Sequence, residues 1–164
     1  MNTPTSEAAT PATDAVITLS PEEQAAVADV TASYLRAIPA DRQQPYTELL
    51  AAVESGTIDS GRIATLERVC TLALSTGQAR RIGLAEVETL VAAVHRRTPA
   101  GRARLAEVKS VNTALARLQG KQLRNVRVAT PRPGRHTLTL GVPGFEITLA
   151  ITPDGLEISS LTTN

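Results

Sequence analysis

The sequence predicts an α+β fold, with about five helices in an N-terminal bundle and then a four-stranded antiparallel β-meander packed on the last helix. Three observations carry this reading. Apolar residues recur at helical spacing up to Gly120 and at every second position after it. Proline and glycine stand between the periodic runs, where the chain has to reverse. Beyond Gly120 the connections are too short for crossovers, so successive strands must be antiparallel neighbours.

Residues 1–17 are expected to form a disordered tail, rich up to about Ala15 in Thr, Ala, Pro and Ser and without hydrophobic period. A single domain should fill residues 18–164, with helices over about 20–120 and the meander over about 123–161. Order should begin at Leu19-Ser20-Pro21: Ser20 can cap a helix, Pro21 suits its first position and Glu23 completes a capping box. Val27, Val30, Tyr34, Leu35 and Ile38 then share one face, and Pro39 ends the helix. A second helix should start near Asp41 or Pro45, bury Tyr46, Leu49, Leu50 and Val53, and stop at Gly56. A third, capped by Asp59 or Ser60, turns Ile63, Leu66, Val69, Cys70 and Leu74 inward and stops at Gly77. A fourth carries Leu84, Val87, Leu90, Val91 and Val94 and ends at His95-Arg96-Arg97, where cations suit the helix dipole.

Thr98-Pro99 opens a fifth helix whose apolar sector is Leu105, Val108, Val111, Leu115 and Leu118. Arg102, Lys109, Arg117 and Lys121 fall roughly opposite. After Gly120, Val126 and Val128 alternate with Asn125 and Arg127, and Leu138 and Leu140 with threonines. Phe145, Ile147, Leu149 and Ile151 form the third alternating run, Leu156 and Ile158 the fourth. Turn signals separate the runs at Pro131-Arg132-Pro133-Gly134, Gly141-Val142-Pro143-Gly144 and Pro153-Asp154-Gly155.

A chain of 164 residues with an ordinary apolar fraction can bury a real core. Without Trp, and with only Phe145, Tyr34 and Tyr46 as aromatics, Ala, Val, Leu and Ile must fill it. Cys70 is the sole cysteine, which excludes an intrachain disulfide and fits a cytoplasmic setting. No signal-peptide pattern follows Met1, and no apolar run has the length of a membrane helix.

The sequence favours a protein that is not an enzyme. Only His95 and His136 could serve as conventional general bases, and each reads more simply as a structural histidine. Cys70 reads as a small core hydrophobe. The carboxylates are dispersed, and no phosphate loop, dinucleotide fingerprint, HExxH or metal-ligand cluster occurs, so neither a cofactor nor a metal is expected.

Charge is the informative feature. Residues 80–135 hold thirteen Arg and Lys against Glu86, Glu88 and Glu107, a net charge of +10 in a chain whose total is +1. This segment has no aromatic residue, which removes the usual platform for stacking bases and points to duplex phosphates. The reading is therefore a small protein that binds duplex DNA, or another polyanion, through Arg102, Lys109, Arg117 and Lys121 on the fifth helix. Arg124, Arg127, Arg132 and Arg135 would continue the surface onto the first hairpin. A weaker signal is a helix-turn-helix at the joint Ser75–Ala79, whose linker looks long and which Arg80 and Arg81 follow. The competing reading is an adaptor or assembly subunit whose basic face meets an acidic protein, with a homodimer through helix 99–120 or a sheet edge. Deleting residues 1–15 is expected to leave the thermal midpoint unchanged in a melt followed by circular dichroism.

Overall fold

The computed structural model of the chain describes residues 16–153 and 155–163. Residues 1–15 of the tail expected over 1–17 and the turn residue Asp154 lie outside the described residues, as does the side chain of Leu84, whereas Ile17 is a buried strand residue and not part of a tail. The chain divides into two compact units, Met1–Thr98 and Pro99–Asn164, and each has its own core.

In the first unit, four helices surround one apolar cluster: α1 (Pro21–Ala37), α2 (Gln44–Glu54), α3 (Ser60–Ser75) and α4 (Gln78–Arg97). The start of α1 follows from local chemistry. Ser20 accepts a hydrogen bond from the Glu23 N–H, and the Glu23 carboxylate accepts one from the Ser20 N–H at 3.0 Å. Arg97, at the end of α4, donates to the same carboxylate at 2.6 Å and to the Thr18 carbonyl at 2.8 Å. One carboxylate thus ties both ends of this unit's chain, and Arg97 is structural. A single 3₁₀ turn, Ala40–Arg42, precedes α2.

The core is built as the helical spacing predicts. Val27, Val30, Tyr46, Leu49, Val53, Ile63, Leu66, Val69, Cys70, Val91 and Val94 are buried together, while Leu50 and Leu74 are half-buried. Thr31 is fully buried, and its hydroxyl is satisfied by donating to the Val27 carbonyl at 2.7 Å. The Tyr34 and Tyr46 rings meet at 4.7 Å, tilted by 55°. Arg68 donates to the Tyr46 hydroxyl and lowers its pKa, while the hydrogen bond to Tyr46 raises that of Tyr34.

Two features of this unit were not anticipated. Ile17–Thr18 (β1) pairs antiparallel with Thr57–Ile58 (β2), and Ile17 and Ile58 both enter the core. Gly56, just before β2, has φ +77°, and an added Cβ would stand 2.7 Å from the Gln24 side-chain nitrogen. The other concerns the joint of α3 and α4, which looked long in the sequence. It is only Thr76 and Gly77, with Gly77 at φ +68°, so Arg80 and Arg81 fall inside the first turns of α4.

In the second unit, α5 (Pro99–Ala116) packs on a sheet of β3 (Asn125–Arg132), β4 (Arg135–Val142), β5 (Phe145–Thr152) and β6 (Gly155–Thr163). Strand order follows the sequence and every pair is antiparallel, the meander that the turns predict. Val111 and Ala114 of α5 meet Val142, Phe145, Ile147 and Leu149, with Leu115, Leu118, Leu138, Leu156 and Ile158 around them. The opposite face is polar: register places Arg127, Thr139, Thr148 and Ser160 in one row, and the two threonine hydroxyls lie 3.2 Å apart.

The apolar sectors expected to be covered are only partly so. Leu105 and Val108 of α5 remain 48% and 49% exposed, and Val126 and Val128 of β3 are 59% and 66% exposed. The first hairpin is also tighter than Pro131-Arg132-Pro133-Gly134 suggested. β3 runs through Arg132, and the turn is Pro133-Gly134. Pairing slips between Ala129 and Arg132, which sets Arg132 opposite Arg135.

Burial pushes the Cys70 thiol up to about 12. Intact protein should therefore resist thiol reagents at neutral pH until it is denatured. Cys70→Ser should cost about 1–3 kcal/mol in a urea titration, because a hydroxyl would sit in the apolar site.

Candidate polyanion-binding surface

The two units carry opposite charge. Residues 1–98 hold eight basic and twelve acidic side chains, and residues 99–164 hold nine and four, so the units stand at −4 and +5. All eight cations expected to form the site belong to the second unit. No Asp or Glu occurs between Glu107 and Glu146.

The eight do not form one continuous surface. Arg102 and Lys109 lie nearly opposite Val111 on the helix, at ~100° per residue. Both are exposed. Lys109, with Ala106, Ser110, Thr113 and Arg117, lines one side of a groove whose other side is Ile158 and Leu161 of β6. Arg117 follows the last residue of α5, and its guanidinium lies over the Phe145 ring at 5.8 Å from the centroid. Lys121 and Arg124 lie in the connection to β3, where the Lys121 N–H donates to Leu118 and the Arg124 N–H to Gly141. These five therefore follow α5 and the connection after it.

Arg127 belongs elsewhere. It shares the polar face of the sheet with Thr139, and α5 packs on the other face. The slip after Ala129 brings Arg132 beside Arg135 at the hairpin end. Arg135 is paired with Glu157 at 3.0 Å. There the two arginines line a cleft with Arg104 and Glu107 of α5 and with Glu157, so the charge is mixed. The other seven expected cations have no ion pair with a described residue. Sequence reading joined strand and helix cations because periodicity does not say which face of a sheet a helix covers.

The helix-turn-helix signal weakens on geometry. The opening of α4, which would have to enter a groove, is held inside its own unit. Gln78 donates to the Ser33 hydroxyl of α1 at 2.9 Å, Ala79 is fully buried, and Arg81 donates to the Thr76 carbonyl. Arg80 alone of the pair is unengaged by a described hydrogen bond or ion pair.

The residues considered for catalysis are dispersed. Cys70 is held as a neutral thiol by burial. His95 is buried with its Nε2 3.2 Å from the Thr71 hydroxyl. His136 stands on the apolar side, opposite Ile151, as alternation places it, but it is exposed, with its Nδ1 2.9 Å from the Thr130 hydroxyl. Among the described residues, no group of three or more His, Cys, Asp or Glu side chains converges as a metal site would require.

No family model, no curated protein and no solved structure matches the chain.

Arg117 should prove partly structural. Arg117→Ala is expected to lower unfolding free energy by about 0.5–1 kcal/mol through loss of the contact with Phe145. A double-mutant cycle with Phe145→Leu checks this, since the effect should shrink when the ring is absent.

Proposed function

We propose that the second unit binds a polyanion, in the first instance duplex nucleic acid, along α5 and the connection after it. Its role is binding rather than catalysis. The observation that carries the proposal is the row Arg102, Lys109, Arg117, Lys121 and Arg124, which has no ion pair with a described residue. Unpaired cations cost little to bring against phosphate, because no existing partner has to be given up. The short side chains of Ala106, Ser110 and Thr113 leave a groove beside Lys109 and Arg117, bounded by Ile158 and Leu161 of β6, into which a phosphate backbone can approach. Arg102 and Lys109 stand about 10 Å apart along the helix, at ~1.5 Å per residue. Phe145 is this unit's only aromatic residue and it is buried, so bases have no exposed ring to stack on. Contact is then made to phosphates and reads no sequence.

Arg127, Arg132 and Arg135 fall outside this row, and the proposal does not need them. That narrows the surface read from sequence to five of its eight residues.

The proposal has a numerical signature. If all five cations meet phosphates, log K should fall with log salt at a slope of about 4.5, at ~0.9 per contact. Arg102→Glu with Lys109→Glu should weaken unrelated duplexes about equally and lower the slope by about 1.8. This pair is preferable to Arg117, whose loss also disturbs Phe145. Fluorescence anisotropy on labelled duplex, single-stranded DNA and RNA over a salt series is the measurement. Wild-type protein that ignores every polyanion at low salt would refute the proposal.

A further inference from the structure

β3 is an edge of the four-stranded sheet, paired with β4 alone. Its outward side presents main-chain N–H and C=O groups of the kind that receive a further strand. Natural sheets close such edges with proline, bulges, charge or a covering helix. Here those devices leave a window. Pro131 and the register slip close the hairpin end beyond Ala129. From Asn125 to Ala129 the pairing with β4 is regular, a stretch of about 17 Å at ~3.4 Å per residue.

The side chains in this window alternate in kind. Val126 and Val128 are exposed on the face that α5 packs against, and Arg127 stands on the other face, with Arg124 just before the strand. α5 does not cover the valines, because it leans toward the opposite edge. Ser110, Thr113 and Ala114 line a groove with Ile158 and Leu161 of β6. Leu105 and Val108 lie on the other flank of the helix and stay half exposed.

We propose that β3 is the docking edge for an extended acidic segment of another protein, which adds to the sheet as a fifth strand. Charge decides the occupant. A second copy of β3 laid antiparallel would bring Arg124, Arg127 and Arg132 against the same cations, and like charges across a strand pair repel. A segment that alternates apolar and acidic residues reverses both terms. Its apolar side chains cover Val126 and Val128, and its carboxylates lie beside Arg127 and Arg124. Main-chain hydrogen bonds supply the pairing, and the alternation supplies the register. Neither arginine has an ion pair with a described residue, and the Glu146 carboxylate at the start of the window is engaged by the Asn125 side-chain amide at 3.5 Å. Of the proposed phosphate row only Arg124 is shared with this edge; Arg102, Lys109, Arg117 and Lys121 take no part in it.

The test uses the full chain and a fluorescent eight-residue peptide alternating valine and glutamate. A valine–lysine peptide and the acidic peptide with a central proline are the controls. The acidic peptide is expected to bind and to slow amide exchange in Asn125–Ala129, while neither control does so. Arg127→Glu should weaken it at least about tenfold, and Val126→Thr with Val128→Thr should weaken it as well. Arg102→Glu with Lys109→Glu should leave it unchanged. All these positions are exposed, and circular dichroism checks that each variant is folded. Three results would overturn the proposal: no binding of the acidic peptide, binding that Arg127→Glu does not weaken, or unprotected β3 amides. So would a concentration-dependent dimer that Arg127→Glu abolishes, since the edge would then belong to a second copy. Duplex affinity that falls as much with Arg127→Glu as with Arg102→Glu would assign the edge to nucleic acid instead.

Discussion

One helix is too narrow to cover four strands. With side chains an α-helix is about 10–12 Å across, whereas the outer strands of a four-stranded sheet stand about 14 Å apart before their own side chains are counted. The second unit has only α5 to lay on its apolar face, and α5 buries Val111 and Ala114 against β4 and β5. Its flank residues Ser110 and Thr113 reach the far edge at β6. Coverage runs out at β3. The exposure of Val126 and Val128 follows from this shortage of width.

Folding also sorts the cations. Arg97 is consumed by Glu23 and the Thr18 carbonyl, Arg135 by Glu157, and Arg117 is drawn over Phe145. Arg81 is turned back onto the Thr76 carbonyl. A basic segment that looks uniform in sequence thus divides into cations that hold the fold and cations that the fold leaves free. Of those left free in the second unit, Arg102 and Lys109 stand on α5 and Arg127 on the sheet face that α5 does not cover. That separation lets substitutions address the helix cations and Arg127 one at a time.

How much could be read in advance tracks how local each signal is. The capping box at Ser20 and Glu23 was legible because all its atoms lie within one turn. The stops at Gly56, Gly77 and Gly120 were legible because their positive φ suits only glycine well. The strand order was legible because short turns permit no other. Ile17–Thr18 and Thr57–Ile58 were not, since two residues cannot display an alternation. Alternation did place Val126, Val128 and His136 on one face, but it cannot say whether another element covers that face. The register slip after Ala129, which moves Arg132 beside Arg135, has no periodic trace either. The eight expected cations were therefore legible as a charge, and their division between helix and sheet was not.

The Tyr34–Tyr46 pair has a spectroscopic consequence. Both phenols lie in the first unit, the chain has no indole, and the second unit's only aromatic is Phe145. Intrinsic emission excited near the tyrosine band therefore reports on the helical unit alone. Melting of the sheet would pass unseen by fluorescence and register only in the far-ultraviolet amide signal. Two traces of one denaturation, recorded at the two wavelengths, compare the first unit alone with the whole chain. If their midpoints coincide, the units unfold as one cooperative body; if they part, each keeps its own stability.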